Sequence, residues 1–362
     1  MIYIFSFVLM ISMPLIFMDN ESTYSRIENR MLKEKPRLIS DGRINIDISK
    51  DIDSYVNDRL GFKKYFNITN NIINFRILHA KNNTDVLVGK DGWLFYIRKD
   101  DGNNLDDFKK TNLFDESTLS ILIRKIEMRV RWCEENDIKF ILLIAPNKHT
   151  IYPEYYSFSR PEGQSRTDQV INNLPYDIKN NIIFPRDYLL AKKQESPLYF
   201  ETDTHWNSQG AFHVYELLFD KIRSCFPDIE FPVINNFSRR IRKESGGDLA
   251  CMLGLESFMQ RTEIDIEPEG GWEAYYTYLK NDAKRGFVTE NIRQNLPKVI
   301  IFRDSFFEVM EPFVSSTFPR AEYIWGFLEE KDKEHILAQK PDIIICEVVE
   351  RYIQNIITSD WG

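Results

Sequence analysis

The chain has 362 residues, which is enough for one large α/β domain or for two domains of ordinary size. Its composition is that of a globular protein rich in aromatic side chains. The formal net charge of −8 argues against a nucleic-acid-binding surface, because such surfaces are basic. No CxxC pair is present, which argues against zinc-ribbon and thioredoxin-type sites. The sequence leaves one disulfide bond open among Cys133, Cys225, Cys251 and Cys346.

The first part of the chain, residues 1–18, contains no charged residue. Its length is at the short end for a membrane-spanning helix. A signal anchor, a cleaved signal peptide and a buried element all fit this run. No A-x-A-like cleavage site follows, which favours the anchor. The positive-inside rule points the other way and would by itself leave the body in the cytoplasm. The basic residues that cause this conflict all follow the run: Arg26, Arg30, Lys33, Lys35 and Arg37.

Residues 19–85 are predicted to form a juxtamembrane linker and a helical segment. The linker, residues 19–40, is polar and charged, and apolar residues recur at helical spacing over residues 48–80. A β-hairpin is predicted next, over residues 86–96. There the turn signal Asp91-Gly92 separates two short apolar runs.

Short apolar strands then alternate with amphipathic helices, which favours an α/β domain with a parallel sheet covered by helices on both faces. The predicted helices are residues 115–135 and 208–223, and the predicted strands are residues 138–145, 182–184, 299–302 and 343–346. Residues 226–297 fit this alternation poorly and are predicted to be a turn-rich insertion.

Polar residues follow two of the predicted strands, where ligands bind in open α/β sheets. Asn147 and Lys148 follow the first predicted strand, and Ser305 follows the third. A further polar pair, Asp203 and His205, lies in a loop just before the helix predicted at residues 208–223.

Ser305, His205 and Asp203 have the residue types that acyl transfer requires. A serine hydroxyl is a weak nucleophile, so a base must take its proton. Histidine has a suitable pKa for that role. A carboxylate on the other ring nitrogen fixes the tautomer and stabilises the imidazolium.

Simpler interpretations of these residues stay open. Asp304 and Ser305 fit a helix cap, and Asp203 with His205 fits a surface pair. The same pair fits half of a metal site, but no further cluster of histidine or cysteine supports one, so no metal is predicted.

Short motifs occur along most of the chain. They are Glu28-Asn29-Arg30, Asn57-Asp58-Arg59-Leu60-Gly61-Phe62, Gly89-Lys90-Asp91-Gly92-Trp93-Leu94-Phe95-Tyr96, Pro146-Asn147-Lys148 with Ile151-Tyr152-Pro153, Thr202-Asp203-Thr204-His205-Trp206-Asn207, Gly247-Asp248-Leu249, Asp304-Ser305-Phe306, and Pro341-Asp342 with Glu350-Arg351-Tyr352. Together these motifs resemble the AlgJ/AlgX-type branch of the SGNH hydrolase-like proteins, also called DHHW proteins. No single motif is decisive, but their shared order is strong support.

This resemblance implies an SGNH-hydrolase-like α/β catalytic domain over residues 86–362, behind an N-terminal membrane anchor at residues 1–18. It also implies a polysaccharide O-acetyltransferase that acts outside the cytoplasm without a cofactor. The implied partner is a multi-pass membrane O-acyltransferase that delivers acetyl groups. Ser305 would take the acetyl group, His205 would be the base and Asp203 would orient it.

The chain departs from the Gly-Asp-Ser form that is usual in the wider superfamily, because Arg303 replaces the glycine. Oxyanion donors beyond the Ser305 N–H are therefore left open. The candidates for oxyanion or substrate contacts are Asn147, Lys148, Arg303, Tyr323 and Arg351. Trp93, Trp206 and Trp325 fit either sugar stacking or core packing.

Two other functions remain open. A carbohydrate acetylesterase would use the same three residues and differ only in that water accepts the acetyl group. An inactive glycan-binding scaffold of an export complex is the alternative from a different class, and the three residues together argue against it.

Overall fold

The computed structural model describes residues 12–25, 30–40, 43–63, 85–231, 236–282, 286–292 and 295–361, together with residues 66, 69 and 73. Within these ranges no helix is long and apolar enough to cross a membrane. Residues 1–11 lie outside the described residues, so the anchor over residues 1–18 stays a prediction. Most of residues 64–84 also lie outside them, as does much of the predicted helical segment.

The N-terminal part of the described chain forms two short antiparallel ribbons and a helix. The ribbons are β1 (Tyr24–Ser25) with β2 (Arg30–Met31) and β3 (Ile39–Ser40) with β4 (Arg43–Ile44), and the helix is α1 (Ile48–Arg59). The predicted hairpin follows as β5 (Val86–Val88) and β6 (Leu94–Tyr96), which pair antiparallel. Asp91 and Gly92 in its turn both have positive φ, which explains the Asp-Gly pair.

Helices and two strands follow up to residue 225, and the elements predicted at residues 115–135, 138–145, 182–184 and 208–223 are among them. In chain order they are α2 (Asn104–Lys109), α3 (Glu116–Glu135), β7 (Lys139–Ala145), α4 (Lys148–Ile151), α5 (Arg166–Asn173), α6 (Tyr176–Lys179), β8 (Ile182–Ile183), α7 (Arg186–Lys192) and α8 (Ser208–Cys225). The predicted boundaries of α3 and α8 hold because capping residues mark them. Asp115 accepts the N–H of Thr118, and Asn207 accepts the N–H groups of Gln209 and Gly210.

The stretch predicted as a turn-rich insertion contains regular structure. It forms β9 (Phe237–Ser245), α9 (Asp248–Met252), β10 (Gln260–Pro268), β11 (Thr277–Asp282) and β12 (Gly286–Glu290). Strands β9 and β10 make a separate antiparallel ribbon, whereas β11 and β12 extend the central sheet. The C-terminal part contains β13 (Val299–Arg303), α10 (Glu311–Thr317), β14 (Arg320–Trp325), α11 (Lys333–Gln339), β15 (Ile343–Val349) and α12 (Asn355–Thr358).

The central sheet has seven strands in the order β11-β12-β14-β13-β15-β7-β8. The five strands from β14 to β8 are parallel, and β11 and β12 add antiparallel at one edge. Side chains alternate between the two faces of each strand, so β7, β13 and β15 serve two cores. One core contains Ile141, Ile301 and Ile345 under helix α8, and the other contains Leu142, Ile300 and Ile344 under helix α3.

None of the four cysteines forms the disulfide that the sequence left open. Cys133 and Cys346 are buried in the core beneath helix α3. They act there as small apolar side chains.

Candidate active site

The candidate site lies beyond the carboxyl ends of strands β13, β15 and β7. Ser305 follows β13, Arg351 follows β15, and Asn147 follows β7. Because these strands are parallel neighbours, their carboxyl ends meet at one edge of the sheet. The loop before α8 brings Asp203 and His205 to the same edge.

The structure brings Ser305, His205 and Asp203 together in one line of hydrogen bonds. The Ser305 Oγ lies 2.8 Å from the His205 Nε2, and the His205 Nδ1 lies 2.7 Å from the Asp203 Oδ1. An ionised carboxylate only accepts hydrogen bonds, so the Nδ1 carries the proton and the Nε2 is free to accept one from the serine. This geometry is that of a nucleophile, a base and an orienting acid.

The Asp203 carboxylate accepts four hydrogen bonds. Its Oδ1 accepts the His205 N–H at 3.1 Å besides the ring nitrogen. Its Oδ2 accepts the Asp248 N–H at 3.0 Å and the Arg261 Nη1 at 2.9 Å. Burial opposes the charge of this carboxylate, but the bonds from His205 and from the main chain outweigh it and hold the pKa of Asp203 well below its usual range.

The electrostatics of His205 follow from the same contacts. Burial disfavours the charged imidazolium, but the hydrogen bond that the ring donates to Asp203, together with the charge of that carboxylate, outweighs this cost and raises the pKa of His205. The ring therefore holds a proton more readily than a free histidine does, which suits a base that must accept one from a serine.

A second carboxylate lies beside the pair. The Asp248 Oδ2 is 3.8 Å from the His205 Nδ1, and Asp248 accepts the N–H and the hydroxyl of Thr204. Gly247, just before it, leaves room for Asp203, because a Cβ there would lie 2.3 Å from the Asp203 Oδ2. Helix α9 therefore begins against the proposed orienting acid.

Asp203, His205 and Asp248 lie close enough together to hold a cation. Their atoms are already engaged, however. Arg261 and a main-chain N–H occupy the Asp203 Oδ2, and the two ring nitrogens face Asp203 and Ser305. A positive guanidinium at this carboxylate disfavours a metal ion there.

Lys148 holds the loop that carries Asp203 and His205. Its buried ammonium donates to the carbonyl oxygens of Phe200, Glu201 and Asp203 at 3.1, 3.2 and 2.6 Å. Burial lowers its pKa to about 7. Lys148 therefore supports the site through the main chain and does not point towards Ser305.

The serine loop is fixed in a similar way. Asp304 accepts the N–H of Phe306 at 2.8 Å and the N–H of Val349 at 2.8 Å, so it caps the turn that carries Ser305. The Trp206 indole N–H donates to the Phe306 carbonyl at 2.8 Å, which ties the two motifs together. Asp304 is thus a cap, as one of the simpler interpretations had it.

A pocket of about 450 Å³ opens in front of Ser305 and His205. Four aromatic side chains form part of its wall, one of them from the N-terminal ribbon β1–β2, and three carboxylates and one arginine add charge. These residues are Tyr24, Tyr96, Trp325 and Tyr352, then Asp101, Asp248 and Asp304, and Arg351.

Of the five candidates for oxyanion or substrate contacts, Arg351 lines the pocket in front of Ser305. Arg351, Asn147 and Lys148 line a small cavity beside that pocket. Among the described residues, the buried side-chain amide of Asn147 and the Nε of Arg351 have no hydrogen-bond partner. The Arg351 guanidinium lies over the Phe306 ring, 5.2 Å from its centroid. Buried polar atoms of this kind are unusual unless they serve a ligand or a water molecule.

Arg303 and Tyr323, which the sequence suggested for oxyanion or substrate contacts, line neither the pocket nor the small cavity beside it. Arg303 pairs with Glu308 at 3.0 Å and with Glu311 at 2.8 Å, and it does not line the pocket. Tyr323 is buried in the core, and its hydroxyl contacts Ser315 and donates to the Glu311 carbonyl. The reason lies in β14, whose alternation turns Tyr323 inward.

The three tryptophans differ in burial. Trp93 and Trp206 are buried in the core, which settles the choice for them in favour of packing. Trp325 is 59% exposed and lines the pocket.

The sequence does not predict Arg261 as a site residue, because Arg261 lies in a stretch without a periodic pattern. Asp248 gave a partial signal, since it belongs to one of the motifs that carry the family resemblance.

A sequence profile of the family described as "SGNH hydrolase-like domain, acetyltransferase AlgX" matches residues 86–274, slightly more than half of the chain. A curated relative, the probable alginate O-acetylase AlgJ of Pseudomonas aeruginosa, is 27% identical over 180 residues. That alignment covers 47% of this chain and 41% of the relative, so the chain spans about two fifths of the relative's length.

Two solved structures share the fold. Bacillus cereus PatB1 has a TM-score of 0.56 at 14% identity, over 75% of this chain and 97% of that one. A DHHW family protein from Eubacterium siraeum has a TM-score of 0.52 at 13% identity, over 78% of this chain and 97% of that one. Because the family profile matches more than half of the chain, the chain belongs to the AlgX-type SGNH hydrolase-like family.

Proposed function

We propose that this chain is an O-acetyltransferase that adds acetyl groups to a polysaccharide outside the cytoplasm, with Ser305 as the nucleophile. The observation that carries the proposal is the line of hydrogen bonds from Ser305 through His205 to Asp203, at the carboxyl edge of the parallel sheet. Membership of an acetyltransferase family supports the reaction type.

In the first half of the reaction, the His205 Nε2 takes the proton from the Ser305 Oγ as that oxygen attacks the acetyl carbonyl of the donor. A bond forms between the Oγ and the carbonyl carbon. The bond to the leaving group then breaks, and His205 returns the proton to that group. The product is acetyl-Ser305. Asp203 keeps the proton on the Nδ1 and stabilises the imidazolium throughout.

In the second half, a sugar hydroxyl attacks the acetyl-serine. His205 takes the hydroxyl proton, a new ester bond forms to the sugar oxygen, and the bond to the Ser305 Oγ breaks as the proton passes to it. The enzyme is thereby restored. The negative oxygen of each tetrahedral intermediate needs donors, and we assign this task to the Ser305 N–H with the Asn147 amide or the Arg351 guanidinium.

The setting of the reaction belongs to the same proposal. Residues 1–18 would anchor the chain, and a multi-pass membrane O-acyltransferase would deliver the acetyl groups to Ser305. The polymer is a polysaccharide, in keeping with the relative named as an alginate O-acetylase.

A carbohydrate acetylesterase would share every residue of this mechanism, with water in place of the sugar hydroxyl. The assembled hydrogen bonds count against an inactive scaffold.

The test is to incubate the purified chain with p-nitrophenyl acetate and to look for an acetyl group on Ser305 by peptide mass spectrometry. We expect the adduct on Ser305, and its transfer to added oligosaccharides in preference to release as acetate. Release as acetate alone, with every oligosaccharide tried, would favour the esterase. An adduct on another residue would contradict the mechanism.

A further inference from the structure

Trp325 gives the pocket beside Ser305 an open aromatic face. It is the last residue of β14 and lies in register with Arg303, the last residue of β13. Ser305 follows Arg303 by two residues, so the indole and the serine lie at the ends of adjacent strands. Trp325 shares this pocket with the exposed ring of Tyr24, and aromatic surface gathered in one concave site marks a binding surface, whereas a single exposed side chain does not.

Arg303 supports this indole. Its guanidinium carbon lies 4.9 Å from the centroid of the Trp325 ring, within the range of a cation–π contact. Glu308 and Glu311 hold the guanidinium in place by ion pairs. Arg303, which stands where the wider superfamily usually has a glycine, therefore fixes Trp325 before a ligand arrives, which lowers the entropic cost of binding.

The charge of the pocket restricts the ligand further. Three carboxylates line it, from Asp101, Asp248 and Asp304. Among the described residues that line the pocket, Arg351 is the one side chain with a fixed positive charge. The Asp101 carboxylate accepts hydrogen bonds from the hydroxyls of Tyr96 and Tyr352, at 2.5 and 2.6 Å, which hold it at the wall. A ligand carboxylate would meet like charges here.

We propose that the acceptor is a sugar unit without a carboxylate, which packs its ring on Trp325 and presents a hydroxyl to acetyl-Ser305. The inference rests on the proposed acetyl transfer and deepens it. A pyranose has an apolar face of C–H groups that suits an aromatic ring, while its hydroxyls point to the rim. A uronate would add a carboxylate to a wall that already has three. This acceptor differs in charge from alginate, the polyuronate for which the curated relative is named.

The first experiment compares two acceptors of equal length, cellopentaose and a mannuronate pentamer, with the full-length chain and p-nitrophenyl acetate as donor. At low ionic strength we expect cellopentaose to be acetylated about tenfold faster or more, because the acidic wall repels the uronate. High ionic strength should narrow the gap, since salt screens exposed charges. Equal or faster acetylation of the mannuronate pentamer at low ionic strength would overturn the proposal.

The second experiment uses variants of the Trp325 ring and of the carboxylates in the pocket wall. Trp325→Ala should raise the KM for cellopentaose about threefold to tenfold through loss of stacking, and Trp325→Phe should recover most of that loss. Tyr176→Ala is the matched control, because it also removes an exposed aromatic ring. Tyr176 is 85% exposed and lies outside the pocket. An effect of Trp325→Ala no larger than that of Tyr176→Ala would contradict the stacking role.

Asp101→Asn should raise the rate with the mannuronate pentamer relative to cellopentaose, because it removes one charge and keeps the shape. Asp220→Asn removes a charge outside the pocket and should leave the ratio as it is. Formation of acetyl-Ser305, measured without an acceptor, separates the two proposals. Its absence would refute the proposed function, whereas normal formation followed by a preference for mannuronate would refute only the acceptor class.

Discussion

The two nitrogens of the His205 ring have separate partners, and the partners fix their tasks. The Nδ1 keeps its proton and donates it in a hydrogen bond to Asp203, so the Nε2 presents a lone pair to the Ser305 hydroxyl. Catalysis by this line of hydrogen bonds depends on all three residues, because Asp203 fixes the protonation of His205 and His205 in turn accepts the Ser305 proton. Two substitutions test it at the scale of single side chains.

Ser305→Ala removes the proposed nucleophile. We expect acetyl transfer to fall by about 10⁴-fold or more, with thermal unfolding close to that of the wild type. Ser224→Ala serves as the control, since Ser224 is exposed and bonds only to the nearby Lys221 carbonyl. Activity of Ser305→Ala within a few-fold of wild type would refute the mechanism.

Asp203→Asn tests whether the charge of this carboxylate sets the pH dependence of the reaction. His205 must be neutral to accept a proton, so activity should rise with pH through the pKa of His205, which lies above the usual value. Without the carboxylate that raises it, that pKa falls and the acid limb moves to lower pH. The maximal rate should fall by about 10⁴-fold, because the wrong tautomer is now favoured. The measurement is the pH profile of acetyl-Ser305 formation, and an unmoved acid limb would contradict the assignment.

Three elements meet at Asp203: the loop before α8, the start of α9 and strand β10. A fourth, the turn after β7, supports the loop through Lys148. The precision of the site therefore depends on how these elements pack, and two substitutions test it at that scale.

Lys148→Met keeps the apolar stem and removes the ammonium that serves three carbonyl groups. The buried carbonyls of Phe200 and Asp203 lose this donor, while the Glu201 carbonyl keeps the Leu94 N–H, so the free energy of unfolding should fall by about 2 to 4 kcal/mol. Displacement of the loop should lower the rate by about 100-fold. Urea unfolding and the rate of acetyl-Ser305 formation measure the two effects. Lys139→Met, at the exposed start of strand β7, is the control. Equal behaviour of the two variants would exclude the supporting role.

Arg261→Met removes the cation from the Asp203 Oδ2. The carboxylate is then less compensated and attracts the imidazolium more strongly, so the acid limb of the pH profile should move to higher pH, opposite to Asp203→Asn. The rate at neutral pH should fall about tenfold. Arg242→Met, on the paired strand β9, breaks only an exposed pair with Asp265 and Glu244, and its profile should match the wild type. A shift of the Arg261→Met profile to lower pH would count against this contact.

At the scale of the whole molecule, the parallel sheet decides where the chemistry is assembled. Strands β7, β13 and β15 end at one edge, so the residues that follow them converge. The ribbon β9–β10 approaches the same edge and supplies Arg261. The N-terminal ribbon supplies Tyr24 to the pocket wall, which brings the segment after the predicted anchor beside the site.

A reporter fusion tests the predicted placement of this body outside the cytoplasm. Alkaline phosphatase joined after residue 40 should be active, because that enzyme forms its disulfides only in an oxidising compartment. The apolar run and the family's site of action motivate this expectation, although the basic residues after the run favour the opposite orientation. An inactive phosphatase, together with an active cytoplasmic reporter at the same position, would reverse the topology.

The sequence by itself determined the parts of this protein that depend on local pattern. Apolar runs predicted β7, β13 and β15, and helical spacing predicted α3 and α8 with nearly their observed bounds. Local pattern suffices there because burial on a strand or a helix repeats over a few residues. The motifs around Ser305 and His205 could also be found, since each motif is short and its residue types suit the chemistry.

Only the tertiary structure decided the partners of those residues. Lys148 meets the Asp203 carbonyl across 55 positions of the chain, and Arg261 meets the Asp203 carboxylate across 58. No local pattern encodes such contacts, because they arise where separate elements pack. The same packing turned Tyr323 into the core, held Arg303 between two glutamates and left Trp325 open to the pocket. Residue type suggested which side chains suit the chemistry, and packing chose among them.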